Sequence, residues 1–176
     1  MEHFKGKPTE QPTPEKKSES PNVQKSPKLP DVPTTAKRLV VWTKAEQVYE
    51  VMWDYITRQR QRLPEDQKKA LHTFFDKIDT LPWHEMLEGL AGFIKQIEPN
   101  ADPFETAMSS MEAELSHRLS AYTVQLDGSI QDPEKYRTVI EGMQAAENDY
   151  QEFKAFRKEY NNVRNGRNPV PKIEIL

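Results

Sequence analysis

Large apolar residues recur at steps of three and four along two long stretches of the chain. In the first they fall at Phe104, Met108, Met111, Leu115, Leu119, Tyr122 and Leu126, and in the second at Tyr136, Val139, Ile140, Met143, Ala146, Tyr150, Phe153, Phe156, Tyr160 and Val163. That is the period of an α-helix. Each stretch opens on Asp-Pro, at Asp102-Pro103 and Asp132-Pro133. Aspartate there accepts orphan N–H bonds of the first turn, and proline at the first helical position forfeits no bond it would have made. With Asp127-Gly128 read as a turn, the pattern predicts an antiparallel, coiled-coil-like helical hairpin with helices over 103–126 and 133–164. At 1.5 Å per residue the arms would be roughly 35 and 45 Å long, so the second overhangs the first or packs on something else.

The same period appears upstream in three shorter pieces. Ala45, Val48, Tyr49, Met52, Tyr55, Ile56 and Leu63 mark a helix near 43–62, with Val51 and Trp53 off the stripe and therefore facing a second neighbour. Thr43-Lys-Ala-Glu46 has the form of a capping box, with Trp42 placed for a hydrophobic staple. Leu63-Pro64 ends this helix, because the residue before proline is biased out of the α region, and starts another near 64–80 with Leu71, Phe74, Phe75, Ile78 and Leu81 on one face. Thr80-Leu-Pro82 repeats that punctuation before a helix near 82–98 that carries Trp83, Met86, Leu87, Leu90, Phe93, Ile94 and Ile97. Gly89 and Gly92 inside it each cost about 1 kcal/mol relative to alanine, which points to a close helix approach. Connections this short make neighbouring helices fold back on one another. The expected fold is all-α: a bundle of about five helices including the long hairpin, within a domain over 35–165.

Composition sets the ends apart. Residues 1–34 hold seven of the fourteen prolines and almost no large apolar side chains, too little buried surface to offset ordering entropy, so they predict a disordered arm. Within it prolines at 27, 30 and 33 have a polyproline spacing suited to an aromatic groove, and Ser20-Pro21 and Ser26-Pro27 fit proline-directed kinases. Arg38-Leu-Val-Val-Trp42 is a short β-branched run that reads as a strand or a packed extended segment. Residues 166–176 read as a C-terminal tail.

Charge is segregated along the chain. Residues 1–34 carry +1, 35–75 carry +3, 76–152 carry −11 and 153–176 carry +4. An acidic middle between basic segments suits internal pairing, head-to-tail pairing of two copies, or an acidic partner at the basic ends. No apolar run approaches the roughly 20 residues of a membrane helix, and the N-terminus lacks the apolar core of a secretory signal. These features favour a cytoplasmic chain without membrane contact.

Candidate chemistry is sparse. The absence of cysteine removes disulfides, thiolate catalysis and sulfur-ligated metals. His84-Glu85 begins a zinc-protease pattern that fails at Glu88. Glu114-Leu-Ser-His117 has the E-x-x-H spacing of di-iron bundles, but no second copy exists to complete the ligand set. No catalytic residue, cofactor or metal ligand is expected, and the chain reads as a non-enzyme. The expected function is a helical protein–protein interaction module, an adaptor, assembly factor or regulatory subunit that binds another protein or itself. Its expected contact surface is the distal half of the second hairpin helix, where Tyr150, Phe153, Phe156, Tyr160 and Val163 form an aromatic stripe flanked by Arg157 and Arg164, residue types enriched at interfaces. The competing expectation is that the N-terminal helices or the Leu39–Trp42 segment bury this stripe. The alternative function is a nucleic-acid-associated accessory protein that uses two basic clusters, Arg58, Arg60 and Arg62 in one and Lys154, Lys158 and Arg167 in the other.

Overall fold

The computed structural model describes residues 31–167. Six α-helices follow one another there: α1 Val32–Val40, α2 Ala45–Gln59, α3 Glu65–Lys77, α4 Trp83–Ile97, α5 Pro103–Ser129 and α6 Pro133–Arg164. No strand occurs among the described residues. Residues 1–30, with Ser20, Ser26 and the prolines at 27 and 30, lie outside them, as does the tail beyond Arg167.

Helix α1 lies across the junction where a disordered arm and then a strand or extended run were expected. Asp31 caps it, its Oδ1 accepting the Thr34 N–H at 3.0 Å, and Pro33 sits in the first turn, where no N–H is required. Thr35, Ala36 and Leu39 form its buried face, and Lys37 and Arg38 fall in the last turn, where the helix dipole favours cations. A tight turn leads directly into α2, with the Trp42 N–H on the Leu39 carbonyl at 3.0 Å and the Ala45 N–H on the Trp42 carbonyl at 3.1 Å. The capping box at Thr43 and Glu46 does not form: α2 begins after Lys44 with no side-chain cap.

Helices α2 and α4 lie side by side and parallel. Tyr49 meets Trp83 edge-on near their N-termini, with ring centroids 5.8 Å apart, and Arg62 pairs with Glu98 at 2.6 Å beyond their C-termini. A run of half-buried rings links this pair to α3: Trp53 lies 3.9 Å from Phe75, and Phe74 lies 5.5 Å from Phe93. Leu71 is the one fully buried residue of α3. Pro64 and Pro82 stand at N-cap positions rather than inside their helices, and their carbonyls accept the N–H groups of Lys68 at 2.9 Å and Met86 at 3.1 Å. Of the two glycines expected to mark a close approach, Gly89 does so, since a Cβ there would stand 2.3 Å from the Phe74 ring. Gly92 faces open space.

Helices α5 and α6 form the expected hairpin in a continuous antiparallel register. Arg164 meets Asp102, Arg157 meets Glu105 and Glu112, Arg118 faces Asp149 at 3.9 Å, and Tyr122 covers Gly142. The turn falls later than Asp127-Gly128. Helix α5 continues through Gly128 to Ser129, whose hydroxyl donates to the Leu126 carbonyl at 2.9 Å, and the chain reverses over 130–132. Asp102 and Asp132 cap the two helices through Oδ1, as their Asp-Pro signatures imply. Helix α6 has 32 residues and α5 has 27. Because Arg164 at the end of α6 is level with Asp102 at the start of α5, the excess of roughly 7 Å lies at the turn end.

The core occupies one end of this hairpin. Its residues on α5 run from Phe104 to Leu115 and on α6 from Phe153 to Val163, packed with Ala36 and Leu39 of α1, Val48, Met52 and Ile56 of α2, and Leu87, Leu90 and Ile94 of α4. The opposite end projects beyond the bundle: Ser129, Val139 and Ala146 are buried there but do not join the core.

Candidate functional site

The aromatic stripe on α6 is core. Tyr160 is fully buried, Phe156, Val163 and Phe153 keep no more than 9 % exposure, and Tyr150 packs half-buried against them. Trp42 stacks on Phe156 with ring centroids 5.3 Å apart and planes 12° from parallel. The expected contact surface at Tyr150, Phe153, Phe156, Arg157, Tyr160, Val163 and Arg164 is therefore corrected: α1 and the turn after it pack on the stripe, whose rings from Phe153 to Tyr160 belong to the core, with only the outer edges of Phe153 and Phe156 reaching solvent.

The two flanking arginines are equally internal. The Arg164 side chain is 5 % exposed. Its Nη2 donates to the second carboxylate oxygen of Asp102, its Nη1 donates to the Tyr160 hydroxyl at 3.3 Å, and Nε has no partner. The Arg164 carbonyl accepts from Arg38 Nη1 at 2.8 Å, so a cation from α1 satisfies the end of α6. Gly166 then closes α6 with φ of +68°. The Gly166 N–H reaches the Val163 carbonyl and the Arg167 N–H reaches the Asn162 carbonyl, a Schellman pattern that requires the left-handed conformation glycine tolerates. Burial pushes the Tyr160 phenol far above its ordinary value, only partly opposed by the neighbouring guanidinium, so it is neutral and a hydrogen-bond partner throughout the ordinary pH range. Arg157 sits between Glu105 and Glu112 and also donates to Ser109 Oγ at 3.0 Å. Along this ladder Asp102, Glu105 and Glu112 of the acidic middle meet the basic C-terminal segment.

The basic clusters divide in the same way. Arg58 is held by Asp54 at 2.7 Å and lies 3.9 Å from Glu114, and Arg62 is held by Glu98. Arg60, Lys158 and Arg167 have no acidic partner among the described residues, and Lys154 stands 5.4 Å over the Tyr150 ring. His117, the other half of the E-x-x-H spacing, is exposed. Among the described residues no group of three His, Cys, Asp or Glu side chains is placed to hold a metal ion, and no helix is long and apolar enough to cross a membrane.

Exposed apolar surface is concentrated elsewhere, on the projecting tip of the hairpin. Of five large apolar side chains that are exposed among the described residues, three are there: Val124 at 74 %, Ile130 at 66 % and Tyr136 at 40 %. The tip has its own thin seam, built from Val139, Ala146 and the Tyr122 ring lying on Gly142, apart from the core that the other helices share among the described residues. Tyr136 belonged to the sequence stripe. Val124 and Ile130 did not: one is an apolar residue off the stripe and the other lies in the turn, the two signals that could have marked a surface rather than a core.

No protein-family model, no curated protein and no solved structure matches the chain.

Proposed function

We propose that this chain is a non-enzymatic helical interaction module, an adaptor, assembly factor or regulatory subunit, and that it engages another protein or a second copy of itself through the tip of the α5–α6 hairpin. One observation carries this reading. The tip extends past the core and keeps Val124, Ile130 and Tyr136 in solvent, whereas apolar side chains gathered on one exposed element of a soluble protein commonly mark a binding surface. The ion pairs at the other end, Arg164 with Asp102 and Arg157 with Glu105 and Glu112, hold the root of the hairpin and leave the tip free for a partner. Val124→Ser with Ile130→Ser tests this. The expected outcome is that proteins retained by the unaltered chain, or its own self-association in sedimentation, are lost with the double variant while the melting temperature is unchanged. Undiminished association, or a collapse of the fold, contradicts it.

A nucleic-acid-associated role is the second reading, supported by the cations left without acidic partners, Arg60, Lys158 and Arg167, together with Lys154. It requires binding that falls steeply with salt and that disappears when these four are changed to Glu.

A further inference from the structure

Helices α2, α5 and α6 leave a groove of about 700 Å³ along their shared edge, lined below by Val51, Met111, Leu115, Phe153 and Phe156. Met111 packs partly buried against the core, and the other four are core residues whose outer atoms still reach solvent: Val51 keeps 7 % exposure, Leu115 8 %, Phe153 9 % and Phe156 5 %, where Val48, Met52, Leu90 and Ile94 keep none. The groove wall on α2 runs from Lys44 to Asp54, about 15 Å or three helical turns.

The rim is anionic once internal pairs are set aside. Asp54 is paired with Arg58 at 2.7 Å, Asp149 faces Arg118 at 3.9 Å, and Lys44, the one cation lining the groove among the described residues, is held by Glu159 at 2.9 Å. Glu50 on one wall and Glu152 on the other are exposed and have no cationic partner among the described residues. Two uncompensated carboxylates, one from α2 and one from α6, thus border an apolar floor.

We propose that this groove binds a short amphipathic helix of a partner protein that carries Lys or Arg along both borders of its apolar face. This rests on the interaction reading above and adds a second surface to it. The walls are helices, and a further helix seated between α2 and α6 would pack at an ordinary interaxial distance of about 8–10 Å, placing anchors at i, i+3 or i+4 and i+7 on the apolar floor. Glu50 and Glu152 would then meet cations on either side, which selects basic helices and rejects acidic ones. Nucleic acid is disfavoured, because the rim repels phosphates.

The test is selection of a displayed library of 16-residue amphipathic helices, half with Lys/Arg and half with Asp/Glu at the polar positions, against the full chain. Enriched helices are expected to be basic, and as synthetic peptides to lose at least tenfold in affinity against Glu50→Lys with Glu152→Lys and against Ala155→Trp, which fills the groove from its exposed wall. Enrichment of acidic helices, no enrichment, or binding indifferent to both variants overturns the proposal. The chain's own N-terminal segment, with six Lys and four Glu in residues 1–30, is a rival occupant: tighter peptide binding after changing Lys16, Lys17, Lys25 and Lys28 to Glu would assign the groove to that segment instead. A change in sedimenting mass on Glu50→Lys with Glu152→Lys would assign it to a second copy. Val124→Ser with Ile130→Ser leaves peptide binding unchanged in every case, so failure at the groove and failure at the tip are read separately.

Discussion

The two ends of the α5–α6 hairpin share one sequence pattern and meet opposite surroundings. At the root, Phe153, Phe156 and Tyr160 are enclosed by α1, Trp42 and α2, and Arg157 and Arg164 are paired with acids across the seam. At the tip, among the described residues, Val139 and Ala146 are buried outside the core, and Val124, Ile130 and Tyr136 remain exposed at 74 %, 66 % and 40 %. Helical periodicity states which residues share a face. It does not state what lies against that face, and the root differs from the tip only because the first helices of the chain return to one end of the hairpin.

The largest expected effect is at the root. Phe156→Ser with Tyr160→Ser removes two buried rings, each worth about 3–5 kcal/mol when truncated, a loss comparable with the whole stability of a domain. Thermal denaturation followed by circular dichroism should show no cooperative transition near that of the unaltered chain. A normal melt would mean the rings are not structural.

Next is the buried ion pair, where the two partners are not equivalent. Asp102→Ala strands the Arg164 guanidinium in the core and removes the α5 cap, for a loss of about 3–5 kcal/mol. Arg164→Met removes the buried charge itself and leaves the more exposed Asp102 its capping bond, so it should cost less by about 1–2 kcal/mol, as expected when no desolvated charge is stranded. Denaturant melts of both variants give the comparison, and equal losses would argue against a desolvated Arg164.

Smaller effects separate the two helical glycines of α4. Gly92→Ala should stabilise by about 0.5–1 kcal/mol, since the site is open and alanine favours the helix. Gly89→Ala should be neutral or destabilising, since its methyl group must displace the Phe74 ring. Thermal shifts of opposite sign, or a Gly89→Ala shift near zero beside a positive one, are the expected readout.

The sequence was legible where punctuation and period agreed. Asp102-Pro103 and Asp132-Pro133 located two helix starts correctly, and the upstream helices near 43–62, 64–80 and 82–98 correspond to α2, α3 and α4 with the 3₁₀ turns Arg60–Arg62 and Ile78–Thr80 at their ends. Helix α1 was not legible as a helix, although Asp31-Val-Pro33 is the same start signal with proline one position later. The density of prolines before it made that signal look like more of the arm, and its buried face is built partly from the small residues Thr35 and Ala36. Without α1 the rings from Tyr150 to Val163 stay open between a binding surface and burial by the N-terminal helices or the Leu39–Trp42 segment, and it is α1 with Trp42 that decides for burial. Asp127-Gly128 misled differently, because glycine followed by a serine able to bond the Leu126 carbonyl is tolerated within the last turn of a helix. At the tip, the signals were an apolar residue off the stripe, Val124, and another in the turn, Ile130; their exposure itself depends on the absence of neighbours, which periodicity does not state.

Amide hydrogen exchange of the full chain under native conditions measures the contrast between root and tip most directly, because exchange through local opening reports how much structure supports each stretch. The expected result is that amides of 119–141 exchange through openings several-fold to orders of magnitude more frequent than those of 104–112 and 153–163, with the tip protected once a partner is bound. Equal protection of both ends in the free chain would contradict the division of the hairpin into a supported root and an open tip.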